Sequence, residues 1–470
     1  MRKLYVVFYF IFFAFYLSAQ EAVESFIRAS CFSNANISLL LKEIDSEKII
    51  MSHRQDNLTV PASTAKLITT ATALELLDGD FVFETKLQYD GEIRHGELHG
   101  NIYILGSGDP TLGSTYMGDT AFFKKWIDAV KQLGIKKITG AIIADASIFS
   151  TEGISPKWLW EDMGNYYAAG AYGISMYDNT YTLTFKTSDV GTIPQLVSIN
   201  PEIPGLTFSL QIKAANNQKD SAYIYGAPFC NERFVYGSIP ANKALFSIKG
   251  DIPNPPLYAA QLFTQKLQAN GIEISNPPLA LFENKNIERK EFFVEVSPPL
   301  ANIIANINQR SNNHYAEHLF RYIGLDNSKQ AGIAASMQAI KAFWLARGLD
   351  VSGLVLYDGS GLSPVNGVSA QFLVELLSYQ YKSSISNEDF FNSLPIAGES
   401  GTVKNFLKNT RLKGKVYVKS GSLYRTQCYA GYLSDKDDKW YAFAILINNY
   451  SGPRTNVLNE IEKLLLSVGK

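Results

Sequence analysis

The chain has 470 residues, more than one ordinary domain holds, and 46% of them are apolar, which is enough for more than one hydrophobic core. Its 43 lysines and arginines nearly balance 44 aspartates and glutamates, so no overall charge would recruit a polyanion. We therefore expect two or three domains and no nucleic-acid partner.

The first 19 residues have the pattern of a secretory signal peptide. Two basic residues precede an apolar run from Leu4 to Leu17, and Ser18 and Ala19 supply a small-residue exit. The run is shorter than the roughly 20 residues of a spanning helix, and no second long apolar segment follows. We predict cleavage before Gln20 and export to the periplasm or cell exterior without an integral membrane span. An uncleaved anchor is the alternative.

The next elements in chain order are predicted from apolar periodicity and turn residues. They are a helix at Glu21–Ser30, strands at Ile37–Ile44 and Lys48–Ser52, and a buried helix that opens at Pro61-Ala62-Ser63 and runs to Leu77. From about Phe83 to Lys285 the pattern changes to short alternating strands with Gly and Pro turns. This stretch contains one clear amphipathic helix, at Ala121–Leu133, and is predicted to be an inserted module.

Helical periodicity returns after the β-rich stretch, and the chain ends in a meander of strands and a last helix. The predicted helices are Pro299–Phe320, Gln330–Arg347, Ser369–Tyr379 and Val457–Ser467, and the predicted strands are Lys415–Lys419, Gln427–Leu433 and Trp440–Ile447. Because strands and helices lie near both ends of the chain, we expect one α/β domain built from both termini, with the middle as an excursion.

Ser63 and Lys66 are three residues apart at the start of a helix, so their side chains project from nearly the same face. A serine hydroxyl is a weak nucleophile at neutral pH unless an adjacent group accepts its proton. A lysine amine can do this when it is neutral, and burial or a second cation favours that state. The pair is therefore a candidate nucleophile and base.

Two further polar segments follow in a fixed order: Ser311-Asn312-Asn313 in a helical region, and Lys419-Ser420-Gly421 on a strand. With the Ser63 and Lys66 pair, they resemble the three motifs of serine β-lactamases and penicillin-binding proteins. The gap of 248 residues between Ser63 and Ser311 is similar to that of the class C low-molecular-mass penicillin-binding proteins, which carry an insertion there. Three further fragments strengthen that resemblance: Gly106–Leu112, Tyr357–Ser363 and Leu394–Thr402.

The resemblance implies a β-lactamase/transpeptidase-like α/β fold, an antiparallel sheet with helices packed on it. It implies a discontinuous peptidase domain at residues 20–82 and 286–470, interrupted by a β-rich module at 83–285 of two smaller domains. The implied activity is that of a serine D-Ala-D-Ala carboxypeptidase or endopeptidase, which cleaves peptidoglycan stem peptides and is acylated by β-lactams. No cofactor and no metal are expected, and the sequence leaves the oligomeric state open.

The same resemblance assigns roles to individual side chains. Ser63 would be the acylated nucleophile and Lys66 its base, and Ser311 would relay a proton to the leaving amine. Asn313 would hold the substrate's peptide amide. Lys419 and Ser420 would bind the terminal carboxylate, Gly421 would leave room for the substrate, and the backbone N–H groups of Ser63 and Ser422 would stabilise the oxyanion. The family usually has Thr where Ser420 stands, which leaves the substrate preference in question.

Several alternatives remain open at this stage. A catalytically retired wall-binding protein would keep the fold without turnover, and a β-lactamase-like hydrolase would use the same three motifs. His314 to His318 spell H-x-x-E-H, which in a zinc protease would place two imidazoles on the metal. Cys31, Cys230 and Cys428 are too dispersed for a disulfide framework, although one bridge is not excluded by the sequence.

Overall fold

A computed structural model describes residues 19–117, 119–325 and 331–469. The predicted signal peptide therefore lies outside the described residues, apart from Ala19. Residues 19–27 form the first helix, α1. The other helices are α2 (Ala65–Leu77), α3 (Phe122–Gln132), α4 (Pro255–Ala269), α5 (Leu300–Arg310), α6 (Asn313–Ile323), α7 (Ile333–Ala346), α8 (Ala370–Lys382), α9 (Asn387–Ser393) and α10 (Arg454–Leu465). Within the described ranges, no helix is both long and apolar enough to span a bilayer.

The strands number twenty-two in the described residues. They are β1 (Asn36–Glu43), β2 (Ile49–His53), β3 (Glu84–Tyr89), β4 (Glu92–Arg94), β5 (Glu97–His99), β6 (Ile102–Leu105), β7 (Lys137–Ile138), β8 (Ile142–Asp145), β9 (Thr180–Lys186), β10 (Gln195–Asn200), β11 (Thr207–Ala215), β12 (Ser221–Tyr225), β13 (Glu232–Pro240), β14 (Phe246–Asp251), β15 (Glu273–Ile274), β16 (Leu279–Leu281), β17 (Lys290–Val296), β18 (Leu354–Val355), β19 (Gly367–Val368), β20 (Val416–Leu423), β21 (Thr426–Ser434) and β22 (Trp440–Asn448).

The described chain divides into two compact units. The first unit takes the described residues up to Gly79, Ile304–Asn312 and Met337 onward, and the second takes Asp80–Ile303 and Asn313–Ser336. The first unit is therefore discontinuous in sequence, and the second carries most of the β-rich middle of the chain.

The first unit is built on a five-stranded antiparallel sheet in the order β2-β1-β22-β21-β20. Both termini thus contribute to one sheet, as the sequence predicts. Every residue of β21 is buried, and so are eight of the nine residues of β22, because helices cover both faces. One face packs on apolar residues of α1 and α10, including Val23, Phe26 and Ile461. On α8, the Leu377 carbonyl accepts a hydrogen bond from the Tyr432 hydroxyl at 2.8 Å.

Helix α2 is buried over most of its length, as its Ala- and Leu-rich sequence predicts. Ser63 lies just before it, in the 3₁₀ turn Ala62–Thr64 that leads directly into the helix. The helix stops at Asp78, whose φ of 70° is incompatible with a further helical turn.

The second unit contains four sheets, two of three strands, one of four and one of five. The predicted amphipathic helix is confirmed as α3. The stretch Lys137–Ala144, whose alternation predicts one strand, instead forms β7 and β8, which belong to two different sheets. Helix α4, which the sequence reading missed, begins at a proline pair after Asn254, whose side chain accepts the Leu257 N–H at 3.1 Å.

Two predictions near the second and third motifs need correction. The helix predicted from Pro299 to Phe320 is two helices, because Ser311 has a φ of 58° and ends α5 before α6 begins. The strand that carries Lys419 runs on to Leu423, so the lysine lies in the middle of β20 and not at its end. All three cysteines are free thiols, so no disulfide forms between them.

Candidate active site

The Ser63 hydroxyl is held next to a buried amine. The Lys66 Nζ donates to Ser63 Oγ at 3.0 Å, one helical turn along, and to the Ser360 carbonyl at 2.6 Å. Lys66 is fully buried, whereas Ser63 is partly exposed. The hydroxyl is thus accessible to a substrate while the amine that could accept its proton is shielded from water.

A second serine and lysine repeat this arrangement. The Lys419 Nζ donates to Ser311 Oγ at 2.9 Å and to the Ser420 carbonyl at 2.8 Å. The helix break at Ser311 is what turns this side chain toward β20. Lys419 is fully buried, and burial together with the nearby charge of Lys66 lowers its pKa well below the ordinary lysine value. Both of its hydrogen-bond acceptors are neutral oxygens, so neither offsets the cost of burying a positive charge.

Gly421 packs directly against the turn that carries the nucleophile. A Cβ atom at this position would lie 2.8 Å from the Ser63 backbone nitrogen and 2.8 Å from the Pro61 carbonyl oxygen. Such distances are below real carbon contacts, so only glycine lets β20 approach this closely. The strand therefore meets the nucleophile turn through its backbone.

Among the described residues, no strand pairs with the outer edge of β20 along the segment that carries the third motif. The strand is the last of its sheet, and its first half is covered by residues 395–397, where Val418 N–H donates to the Pro395 carbonyl at 2.9 Å. Ser420 Oγ lies 3.0 Å from Thr402 Oγ1, and Ser422 Oγ donates to Gln427 Oε1 at 2.9 Å. An extended peptide could add to this edge with hydroxyls on either side.

The nucleophile turn is clamped by residues that the sequence reading did not single out. Asn448 on β22 donates to the Val60 carbonyl at 3.0 Å and accepts the Val60 N–H at 2.7 Å. Ala62, between Val60 and Ser63, has a φ of 46°, an unusual conformation for alanine. Nothing in the local sequence points to Asn448, because it is distant in the chain and brought in by the sheet.

The loop at 357–363 supports Lys66 from the other side. The Asp358 carboxylate accepts the N–H groups of Gly361 at 2.8 Å and Ser363 at 2.6 Å, and Asn366 Nδ2 at 2.7 Å. Gly361 has a φ of 78°, and a Cβ there would lie 1.9 Å from the Ala62 carbonyl oxygen. The sequence marks the fragment Tyr357–Ser363 as a resemblance to the family, but it does not show that the fragment holds the Ser360 carbonyl against Lys66.

Asn313 belongs to the second unit, where it begins α6. Its Nδ2 donates to the Tyr167 carbonyl at 2.8 Å. The other sequence-predicted residues, Ser63, Lys66, Ser311 and Lys419–Ser422, all lie in the first unit. Lys66 contacts Ser63, Lys419 contacts Ser311, and Gly421 packs on the turn that carries Ser63, so these residues form one cluster.

The His314 and His318 pair is buried on α6, with ring centroids 4.3 Å apart. His318 Nδ1 lies 2.9 Å from the His314 carbonyl oxygen, and its Nε2 lies 2.8 Å from Ser175 Oγ. Both nitrogens of this ring are therefore engaged in hydrogen bonds. Across the described ranges no cluster of three or more potential His, Cys, Asp or Glu ligands occurs.

Known proteins resemble this chain over nearly its whole length. D-alanyl-D-alanine carboxypeptidase DacB of Haemophilus influenzae is 28% identical over 437 residues, which is 89% of this chain and 86% of the relative. A D-alanyl-D-alanine carboxypeptidase of Actinomadura sp. (strain R39) is 27% identical over 92% of this chain and 81% of its own length. The crystal structure of penicillin binding protein 4 (dacB) from Haemophilus influenzae matches with a TM-score of 0.81 at 25% identity, covering 92% of this chain and 96% of that one.

Fold and relatives together define the class as a low-molecular-mass penicillin-binding protein with a β-lactamase/transpeptidase-like fold, which confirms the resemblance inferred from the three motifs. The chain belongs to the D-Ala-D-Ala carboxypeptidase 3 (S13) family, whose model matches residues 19–465. It is accordingly a hydrolase, a serine-type D-Ala-D-Ala carboxypeptidase.

Proposed function

We propose that Ser63 is the residue that is acylated and that Lys66 is its general base. The observation that carries this assignment is the 3.0 Å hydrogen bond between a fully buried amine and a partly exposed hydroxyl. In the first step Ser63 Oγ bonds to the carbonyl carbon of the penultimate D-Ala while its proton passes to Lys66. The backbone N–H groups of Ser63 and Ser422 stabilise the negative charge that develops on the carbonyl oxygen.

The tetrahedral intermediate then collapses, and the bond to the terminal D-Ala nitrogen breaks. Ser311, hydrogen-bonded to Lys419, relays to the leaving amine the proton that Lys66 took from Ser63, which leaves Lys66 neutral again. Water hydrolyses the acyl-enzyme in the second half of the reaction and restores the Ser63 hydroxyl. A β-lactam follows the first half of this route, because its strained amide also presents a carbonyl carbon to Ser63.

The substrate's terminal carboxylate is proposed to bind at Lys419 and Ser420, with the Thr402 hydroxyl beside them. The lowered pKa of Lys419 supports this assignment. Burial disfavours the charged ammonium, and the negative charge of a bound carboxylate would stabilise it. Asn313 is proposed to hold the peptide amide of the substrate.

The substrates that we propose are stem peptides of peptidoglycan, with β-lactams as acylating inhibitors. One relative is named a penicillin binding protein, and a 24% identical relative from Dictyostelium discoideum is named a penicillin-sensitive carboxypeptidase. Endopeptidase activity on the same site is also proposed. A Bdellovibrio bacteriovorus peptidoglycan endopeptidase shares the fold at a TM-score of 0.51 and 17% identity.

We propose an extracytoplasmic location, because the peptide substrate lies there and the first 19 residues have a signal-peptide pattern. The peptidase domain is proposed at residues 20–82 and 286–470, with 83–285 as the inserted module. The discontinuity of the first unit supports an insertion of this kind.

The decisive experiment is acylation of the purified chain by a labelled penicillin, with Ser63→Ala as the test variant. Loss of the hydroxyl should abolish labelling and D-Ala release without lowering the melting temperature, because only one oxygen atom is removed. Ser352→Ala, at an exposed serine of the same unit, is the matched control and should label like the parent. A Ser63→Ala chain that is still labelled one to one would place the nucleophile elsewhere, and a parent chain that is never labelled would favour a retired site.

A further inference from the structure

The second unit contains a polar cavity that the peptidase reaction does not use. Its volume is about 520 Å³, and it is lined by residues of β9, β14 and α4 and by the segments near residues 113, 177 and 201. A neighbouring cavity of about 510 Å³ shares Thr120, Tyr177 and Lys266 with it. The two cavities adjoin beside α4 and are together called here the α4 groove; each is within the size range of ligand-binding sites.

The side chains of the α4 groove are mostly polar, and many have no protein partner. Thr182, Asn200, Glu202, Lys249 and Gln265 line the larger cavity, and their side chains make no hydrogen bond or ion pair with other described residues. Hydroxyl, amide and charged groups of this kind both donate and accept hydrogen bonds. Their bonding capacity is therefore available to a ligand.

Tyr258 on α4 supplies the clearest sign of an absent partner. Its hydroxyl is buried in the wall of the groove, the residue being only 2% exposed, and makes no hydrogen bond to the described protein. A phenol hydroxyl that is buried without a partner costs free energy, so such groups are uncommon in native proteins. Burial and the nearby Tyr177 raise the pKa of Tyr258, which keeps the hydroxyl protonated and able to donate.

A strained turn presents Tyr177 and Asp178 to the same groove. Three successive residues, Tyr177, Asp178 and Asn179, have φ values of 53°, 56° and 51°. Asn179 fixes the turn from behind, because its Nδ2 donates to Ser175 Oγ at 2.8 Å and to the Gly170 carbonyl at 2.9 Å. Residues held in this conformation are costly and cluster at ligand-binding sites.

The charges of the α4 groove cancel. Asp178 and Glu202 are matched by Lys249 and Lys266 among its lining residues. A polyanion or a polycation would therefore meet as much repulsion as attraction. Apolar lining is limited as well: Leu262 and Pro201 line the larger cavity, and Phe123 and Ile127 of the smaller one are themselves buried, so an apolar peptide segment would find little to pack against. The groove is suited to an uncharged ligand that is rich in hydrogen-bonding groups.

We propose that the α4 groove binds the glycan of the cell wall, a polymer of N-acetylated amino sugars. Sugar hydroxyls and acetamido groups donate and accept hydrogen bonds, which matches the unpaired amides and hydroxyls of the groove. The partly exposed ring of Tyr177 offers an apolar face to a sugar ring. This inference rests on the proposed function, because stem peptides that end in D-Ala-D-Ala are attached to such a glycan. The groove would then recognise the polymer while the first unit cleaves the peptide.

The test uses the full chain in a Ser63→Ala background, so that no peptide chemistry occurs during the measurement. Two glycan probes, chitotetraose and peptide-free glycan strands from amidase-treated peptidoglycan, are titrated by calorimetry, and an acetylated stem peptide without sugar is titrated separately. Tyr258→Phe removes only the unpaired hydroxyl, and Thr182→Val removes a second one at nearly constant volume. Tyr236→Phe and Thr207→Val are matched controls at exposed positions of the same unit that do not line the groove.

Each test variant should weaken glycan binding about threefold to tenfold, the equivalent of one lost hydrogen bond, and the controls should bind like the parent. Melting curves establish that each variant is folded. Absence of saturable glycan binding by the parent, or equal affinities in test variants and controls, would overturn the proposal. So would a result in which Tyr258→Phe weakens binding of the sugar-free peptide and not of the glycan. If the Ser63→Ala chain still releases D-Ala at the parent rate and also binds glycan, the nucleophile assignment fails and the groove proposal stands. The two proposals are separable in this way because the substitution removes the assigned nucleophile and leaves the groove intact.

Discussion

The two units treat their polar groups in opposite ways. In the first unit the lysines of the candidate active site are fully buried, and each Nζ donates to a serine hydroxyl and a backbone carbonyl. In the α4 groove of the second unit, polar side chains line a cavity, and several of them, including Thr182, Gln265 and Tyr258, make no side-chain hydrogen bond to other described residues. Covalent chemistry requires reacting atoms that are fixed before the substrate arrives, whereas a binding groove must leave its hydrogen bonds to the ligand.

The largest expected effect comes from removing the proton acceptor of the fixed site. Lys66→Arg keeps the positive charge and most of the length of the side chain, but arginine does not lose its proton in a protein. If Lys66 is the base, penicillin acylation should slow by about a hundredfold to ten-thousandfold, the usual worth of general-base catalysis. The measurement is the second-order rate of acylation of both chains, with their melting curves.

Lys42→Arg is the matched control for that comparison. Lys42 is also buried in the first unit, but its ammonium donates to the Glu375 carboxylate at 2.9 Å. The Lys42→Arg chain should be acylated by penicillin at the parent rate. A Lys66→Arg rate within about threefold of the parent would mean that Lys66 only stabilises negative charge, and the base would have to be sought elsewhere.

A smaller effect is expected from disturbing the loop that supports Lys66. Gly361→Ala would place a Cβ atom 1.9 Å from the Ala62 carbonyl oxygen, at a residue whose backbone is in the left-handed region. The loop must shift, and the Ser360 carbonyl shifts with it. We expect acylation to slow by about tenfold or more, because displacements of about 1 Å around reacting groups have effects of that size. Stopped-flow acylation and thermal melting measure the two consequences separately.

Gly348→Ala isolates the conformational strain from the displacement. Gly348 has a φ of 84° in the same unit, and an added Cβ there would meet nothing within 4 Å. It should therefore lose about 1 kcal/mol of stability with an unchanged acylation rate. If both glycine variants lose stability alike and neither slows acylation, the loop at 357–363 does not position Lys66.

What the sequence predicted well was what is local. Ser63 and Lys66 are one helical turn apart, so their contact follows from spacing alone. The apolar runs of the C-terminal meander predict strands β21 and β22 within one residue at each end, whereas β20 extends four residues beyond its predicted end. The left-handed break at Ser311 was not predictable, because serine has no special preference for that conformation and the position is set by tertiary packing.

The parts that were missed depend on contacts between distant segments. Asn448 clamps Val60 across 388 positions of the chain, and no local pattern marks it. The larger sheet of the second unit has the order β16-β8-β6-β3-β17, which mixes parallel and antiparallel neighbours from separate stretches. The α4 groove draws its walls from such separate stretches too, so its unpaired side chains are scattered in the sequence.

The smallest expected effect distinguishes the buried histidine pair from a surface feature. Burial lowers the pKa of His318 to about 4, with the charge of Arg321 as a minor cause, against an ordinary value of 6.5. Between these two values the unfolded chain binds a proton that the folded chain does not, so stability is lost as the pH falls from about 6.5 toward 4.

His318→Gln should remove this sensitivity, because glutamine does not titrate. At pH 5 the parent should have lost roughly 2 kcal/mol relative to pH 7.5 through this one group, and the variant should lack that share of the loss. Melting temperatures of both chains at the two pH values give the comparison, with His99→Gln, at an exposed histidine of the same unit, as the control. The control should track the parent, because His99 is exposed and lies outside the buried histidine pair. If the pH dependence of His318→Gln matched that of the parent, the His318 ring would already be protonated in the folded protein. Its Nε2 would then donate to Ser175 Oγ and would not accept from it.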